Sequence, residues 1–98
     1  MEINKIKDGT ALTIELEGRL DTVSAPQLET ELKKSISGVE TLIFDFAKLE
    51  YLSSAGLRVL LASQKVMNKQ GQMIIKNVNS TIMDIFEVTG FSEILTVE

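Results

Sequence analysis

The chain has 98 residues, of which 44% are hydrophobic and 24% charged, with a formal net charge of -4. That is the size and composition of one folded domain, residues 1–98, with a modest core of its own, and not of a disordered segment. There is no cysteine and no histidine, which removes disulfides, thiol chemistry, Ser-His-Asp triads, His proton shuttles and His metal sites.

The acidic balance leaves no basic footprint for nucleic acid. No run approaches the roughly 20 apolar residues of a membrane span. The opening stretch carries Glu2, Lys5, Lys7 and Asp8 and lacks a signal-peptide pattern. A cytoplasmic protein is expected, with no nucleic-acid or membrane partner and no cofactor. Asp21, Asp45 and Asp84 stand apart in sequence and read as surface or capping carboxylates, so no metal site is expected. No internal repeat or linker composition divides the chain.

Ile3–Ile6 alternates weakly and ends at Asp8-Gly9, a strong turn signal. Ala11–Glu17 alternates cleanly, with Leu12, Ile14 and Leu16 on one face, and reads as a half-buried strand. The two segments predict a hairpin. The chain is expected to leave this strand at Gly18-Arg19-Leu20-Asp21. Ser24-Ala25-Pro26-Gln27 then has the pattern of a capping box with proline in the first turn. A helix is predicted to about Ile36, with Leu28, Leu32 and Ile36 on its buried face and Gly38 at its stop.

Thr41–Phe46 is a mostly apolar run, expected as a central strand partly covered on both faces. Leu49–Ser53 is expected as a loop. The longest helix follows, Ala55–Gln70, stopped by Gly71. Met73-Ile74-Ile75 reads as a buried strand. Asn79 or Ser80 caps a third helix, Ser80–Val88, which stops at Thr89-Gly90. Ile94–Val97 is expected as a last edge strand. The alternation predicts an α/β domain with a mixed, mostly parallel sheet of about five strands and helices mainly on one face, a β/α superhelix. A flavodoxin-like doubly wound sheet is the alternative. The predicted core is Leu12, Ile14, Leu16, Leu42, Phe44, Leu57, Leu60, Ile74, Ile82 and Phe86.

The most informative segment is Tyr51-Leu52-Ser53-Ser54-Ala55-Gly56-Leu57-Arg58. Two serines stand where a loop meets a long helix. The plain reading is an N-cap, which needs only one of them. Gly56 is costly in a helix, by about 1 kcal/mol, and can permit close approach of another group. At about 100° per residue, Lys65 and Lys69 fall within about 20° of Arg58, and Ser54 lies about 40° away. Leu57, Val59, Leu60, Val66 and Met67 fall on the opposite side. Ser54 thus heads a polar stripe and is reachable by a kinase. A helix N-terminus also tolerates a phosphate, since its free amides and dipole favour negative charge.

Three stretches give the chain a resemblance to the STAS-domain anti-sigma factor antagonists: Glu17-Gly18-Arg19-Leu20-Asp21, Leu42-Ile43-Phe44-Asp45-Phe46, and Leu52-Ser53-Ser54-Ala55-Gly56-Leu57. The third helix with Thr89-Gly90-Phe91 fits as well, so the likeness spans the chain. The resemblance implies a non-enzymatic switch. Its unphosphorylated form binds an anti-sigma factor that is itself a serine kinase of the histidine-kinase-like ATPase superfamily, and so releases the sigma factor. Phosphorylation ends the binding, and a phosphatase of the metal-dependent serine/threonine class restores it. Aligned on Gly56-Leu57, the phosphorylated serine falls on Ser54. Many members have aspartate just before it, where this chain has Ser53, which becomes a secondary acceptor candidate. Asp21 matches the family's acidic residue after the second strand. The expected partner-binding set is therefore Asp21, Ser53, Ser54, Gly56 and Arg58. Two other readings stay open: a STAS scaffold that is not phosphorylated, for example in a lipid or anion transport system, and a small α/β enzyme. The absence of any Gly-rich phosphate loop weighs against the enzyme.

Overall fold

A computed structural model describes residues 1–98. The chain runs β1 (Glu2–Asp8), β2 (Ala11–Leu20), α1 (Ala25–Ser35), β3 (Thr41–Leu52), α2 (Ser54–Gln70), β4 (Gln72–Lys76) and α3 (Ser80–Thr89), then a single 3-10 turn at Phe91–Glu93. The four strands lie in the order β1-β2-β3-β4. β1 and β2 form the predicted antiparallel hairpin, while β2–β3 and β3–β4 are parallel. Adding strands in one direction with helical crossovers places the helices on one face, which is the β/α superhelix and not the doubly wound alternative.

The burial pattern agrees. Leu12, Ile14 and Leu16 of β2, Leu42, Phe44 and Phe46 of β3, and Met73 and Ile75 of β4 are buried against the helices. Their neighbours Thr13, Ile43 and Ile74 are only half-buried on the open face. Two expectations are corrected here. The central strand is covered on one face, not partly on both, because no element crosses the other side. Ile74 is therefore not core; Met73 and Ile75 take the buried positions of that strand.

Three boundaries also differ. β2 does not end at Gly18 but continues to Leu20, and β3 extends through the expected loop to Leu52. Both extensions rest on the Gly18–Leu49, Arg19–Tyr51 and Leu20–Leu52 pairs, reached through two register shifts. Gly18 sits at φ 105, a backbone that favours glycine. The fifth strand is reduced to one bridge, Ile75 with Val97, because Phe91–Glu93 coils as a 3-10 turn before it. The core of the molecule includes Leu28 and Leu32 from α1, Leu57, Leu60 and Met67 from α2, and Ile82 and Phe86 from α3. Asn79 caps α3 as expected, its side-chain oxygen accepting from Ile82 N at 2.8 Å. Gly71 is fixed by a close approach: a Cβ there would lie 1.8 Å from Glu40 O.

Candidate functional site

The parallel pair Leu20–Leu52 ends β2 and β3 at one level. Ser53 N donates to Leu20 O at 2.8 Å and ties the ends of the two strands together. α1 and α2 therefore start side by side beyond the carboxyl ends of adjacent strands, the usual place for function in an open α/β sheet.

The start of α1 is closed by Asp21. Its Oδ1 accepts from Val23 N at 3.0 Å and from Ser24 N at 3.1 Å. Ser24 is buried, and Asp21 N donates to its Oγ at 2.9 Å. The Ser24 hydroxyl has one proton and two acceptors in reach, Arg19 O at 2.7 Å and Asp21 Oδ1 at 3.1 Å. These bonds, the Ser24 N–H above all, then the Ser24 hydroxyl and the Val23 N–H, hold the Asp21 carboxyl below its ordinary value, with the Arg19 charge adding to them. The capping box expected at Ser24 and Gln27 is absent: Ser24 Oγ faces back into the turn and makes no cap bond to the helix. Gln27 instead donates to Met1 O at 3.4 Å. Asp21 instead orders the turn that leads into α1: its side chain accepts the Val23 and Ser24 amides, which precede the helix, and its backbone carbonyl accepts from Ala25 N at 2.8 Å.

The start of α2 is open. Ser53 is the N-cap residue, with the extended backbone a cap requires (φ -97, ψ 178), yet its side chain makes no cap bond. Its Oγ is buried and has no hydrogen-bond partner. No acidic residue stands in the first turn. The first amides of a helix have no acceptor within it, so they remain available. Ser54 is the first helical residue and is exposed, as is Arg58 one turn on. Gly56 turns inward: a Cβ on it would lie 2.8 Å from Leu20 Cγ and 2.9 Å from Leu52 Cδ1. Gly56 lets α2 settle on the strand ends and does not itself reach the surface. Behind the site, the Arg19 guanidinium lies over the Tyr51 ring, 4.6 Å from its centroid.

Ser53, Ser54 and Arg58 thus share one helix start, with Asp21 locked in the neighbouring turn. Thr22, Ala25, Pro26 and Glu29 from the α1 side and Ala55 and Arg58 from α2 line a shallow depression next to Ser54. A second depression continues along the seam of α1 and α2, over Leu32, Ile36, Val59, Ala62 and Val66. The sequence reading missed it. It placed Val66 on the buried side, whereas Val66 is 39% exposed. The buried arc of α2 includes Ser63 and Gln64 instead, polar residues that a hydrophobicity pattern cannot select. The signal available in sequence was the apolar pair Ala62 and Val66, four apart, beside the basic stripe.

This arrangement of a one-faced β/α sheet with a serine heading α2 coincides with a known domain. The STAS domain profile matches residues 2–98. The chain belongs to the STAS domain family. Among similar proteins, BtrV of Bordetella bronchiseptica, which carries a provisional anti-sigma factor antagonist name, is 34% identical over 84 residues, covering 84% of this chain and 72% of BtrV. The anti-sigma-B factor antagonist of Bacillus subtilis is 25% identical over 87 residues, 88% of this chain and 80% of that protein. The structure of the antagonist SpoIIAA in its unphosphorylated form matches with a TM-score of 0.79 at 21% identity, covering 99% of this chain and 87% of that one. SpoIIAA of Bacillus in its phosphorylated form gives 0.78 at 21% identity, covering 99% and 91%. At that identity the likeness concerns the fold, and this STAS domain shares it equally with both forms.

Proposed function

We propose that this STAS domain is an anti-sigma factor antagonist. Its unphosphorylated form binds an anti-sigma factor serine kinase and releases the sigma factor, and phosphorylation of Ser54 ends the binding. The observation that carries the reading is the contrast of two adjacent hydroxyls. Ser54 Oγ heads α2 on an exposed residue, while Ser53 Oγ is buried. A kinase can reach the first without moving the backbone. Ser54 is thus the acceptor, and Ser53 becomes secondary because its hydroxyl needs the turn to open.

Phosphorylation adds a charge of about -1.5 to -2 beside the free amides of α2, where negative charge is favoured. Arg58 is placed one turn along to share that charge. The fold is retained and the surface changes. A docked partner then meets a charge where a hydroxyl had packed. An unpaired charge desolvated in an interface costs several kcal/mol, and each 1.4 kcal/mol is about tenfold in affinity. A phosphatase of the metal-dependent serine/threonine class completes the cycle. The names of the BtrV and Bacillus subtilis relatives support the antagonist class. The accessible serine favours it over a scaffold that is never phosphorylated.

The test uses the purified protein, the anti-sigma factor kinase from the same genome, and ATP. Mass spectrometry should find one phosphate, on Ser54. Ser54→Ala should bind the kinase and resist inactivation. Ser54→Asp should weaken binding by at least about tenfold, with circular dichroism unchanged. Undiminished phosphorylation of Ser54→Ala, or full-strength binding by the phosphorylated protein, would sink the proposal.

A further inference from the structure

We infer that the open face of the sheet is a docking surface for a second copy of this chain, which lays the basic stripe of its α2 across it. The inference goes beyond the antagonist reading and does not rest on it.

The open face gives the first reason. A parallel sheet is normally covered on both sides. Here β2, β3 and β4 run parallel, and the helices cover one side only. Ile6, Thr13, Ile43 and Ile74 pair in register and form one row across the uncovered side. Ile6 is 48% exposed, and the other three are half-buried. Beside the row lies a depression whose lining includes Glu2, Glu15, Glu17 and Asp45, with Lys48 as its one cation. Glu15 and Asp45 accept only from neutral donors, Asn4 Nδ2 at 2.7 Å for the first, Asn77 Nδ2 and Ala47 N at 2.9 Å for the second. Two such anionic faces stacked on each other would repel, so a face-to-face pair is disfavoured.

α2 carries the opposite charge. Its 17 residues include Arg58, Lys65 and Lys69 and no acid, although acids outnumber bases in the whole chain by 14 to 10. All three are exposed on one side of the helix, with Ala62 between them. Their placement opposes the electrostatics of the helix itself. Lys65 and Lys69, four apart, repel each other, and Arg58 stands near the positive end of the dipole. An ordinary solvated surface mixes the two signs. The two ion pairs of the molecule, Lys5–Glu31 and Lys33–Glu29, lie on neither surface. Each surface therefore holds charge that its own chain does not neutralise, and each is the complement of the other.

The spans agree. Arg58 and Lys65 are seven residues apart, about 10 Å along the helix. Glu2 on β1 and Asp45 on β3 are two strands apart, also about 10 Å. Ala62, small and set between the cations, lets the helix lie close. A helix on the open side completes the three layers usual for a parallel sheet. α2 and the open face lie on opposite sides of the sheet, so one copy cannot satisfy itself and the contact runs head to tail. The face spans four strands and the five residues of β4, about 300 Å², against about 800 Å² per partner in a stable complex. The association is weak, reversible and held largely by charge.

Sedimentation velocity tests this on the purified chain, from micromolar to millimolar concentration. Wild type should associate at about 0.01 M salt and dissociate at about 1 M, where the Debye length has fallen from about 30 Å to about 3 Å. Lys65→Glu with Lys69→Glu reverses one surface, and Glu2→Lys with Glu17→Lys reverses the other, all at exposed positions. Each double variant alone should associate at least about tenfold more weakly. An equimolar mixture of the two should regain association, because opposite charges face each other again. Lys65→Gln and Glu17→Gln should each give a smaller loss, and they replace any double variant whose circular dichroism departs from wild type. A wild type that stays monomeric throughout overturns the inference. So does association indifferent to salt, and so does a mixture that associates no more strongly than its components, since the two surfaces then do not meet. None of these results bears on Ser54, whose assignment is read by phosphorylation.

Discussion

The starts of α1 and α2 are two answers to one problem. Both helices leave a strand at the level of the Leu20–Leu52 pair, and both have a serine at the N-cap position, Ser24 and Ser53. Neither serine caps its helix. At α1, Asp21 gathers the Val23 and Ser24 amides, and the turn is saturated. At α2 nothing takes Asp21's place, and the Ser53 hydroxyl is buried without a partner. Free amides at a helix start cost stability and favour an anion. The difference teaches where this small domain can accept a charge: the turn into α1 already holds a carboxylate on its amides, and the start of α2 holds none.

Gly56 gives the largest effect. It holds the open helix start against Leu20 and Leu52, both almost fully buried. Gly56→Val would put branched carbons where even a Cβ lies 2.8 Å from Leu20 Cγ. Overpacking of this kind costs about 1–3 kcal/mol. The expected loss lies in the upper part of that range, read as a lower urea midpoint at unchanged slope. A midpoint equal to wild type would mean that the start of α2 can lift from the strands, and that its openness reflects loose packing and not a missing cap.

Asp21 comes next. Its folded carboxyl titrates below the ordinary value, because it accepts the Ser24 and Val23 amides. A depressed carboxyl contributes stability that is full above the unfolded value and is lost as the pH falls through the folded one. Asp21→Asn keeps an acceptor but removes the charge. It should lose less stability than Gly56→Val at neutral pH and should flatten the decline of the urea midpoint between neutral pH and pH 3. An unaltered acid profile in Asp21→Asn would show that the turn of α1 is held by backbone bonds alone, and the contrast between the two starts would weaken.

Much of this was legible in the sequence, and the limits are physical. Asp8-Gly9, the alternation in Ala11–Glu17, the glycine stop at Gly71 and the Asn79 cap are local signals, and each element formed where its signal stood. Position Ser54 on the polar side of α2 followed from helical periodicity alone. The extensions of β2 and β3 to Leu20 and Leu52 were not legible, because they depend on pairing between strands more than twenty residues apart. The capping box at Ser24 failed for a related reason: Asp21 and Arg19 O compete for the same serine, and the pattern cannot see them. Gly56 was marked for close approach, but what it approaches, two leucines of the core, is a tertiary fact. The seam of α1 and α2 was hidden because Val66 counts as apolar in any periodicity, exposed or not.

Ser53 gives the smallest effect and the most direct test of the contrast. The backbone there already has the extended geometry of a cap, so a longer acceptor needs no rearrangement. Ser53→Asp would put at α2 the kind of group that Asp21 supplies to the turn before α1: an acceptor oxygen beside free amides and a negative charge at the positive end of the helix. Such caps contribute about 0.5–2 kcal/mol relative to an uncapped start. Part of that is offset here, because the new side chain starts from a buried position and must turn outward to stay solvated. A net gain of about 0.5–1 kcal/mol is expected, a rise of roughly 2–8 °C in Tm for a domain of this size. The electrostatic share should shrink in high salt, while the hydrogen-bond share should not. Phosphorylation of Ser54 should raise the Tm of wild type and raise it less in Ser53→Asp, where the amides are already engaged and the two anions repel. A gain from phosphorylation that is the same in both proteins would show that the phosphate does not use the free amides. The open start of α2 would then have no part in accepting the charge.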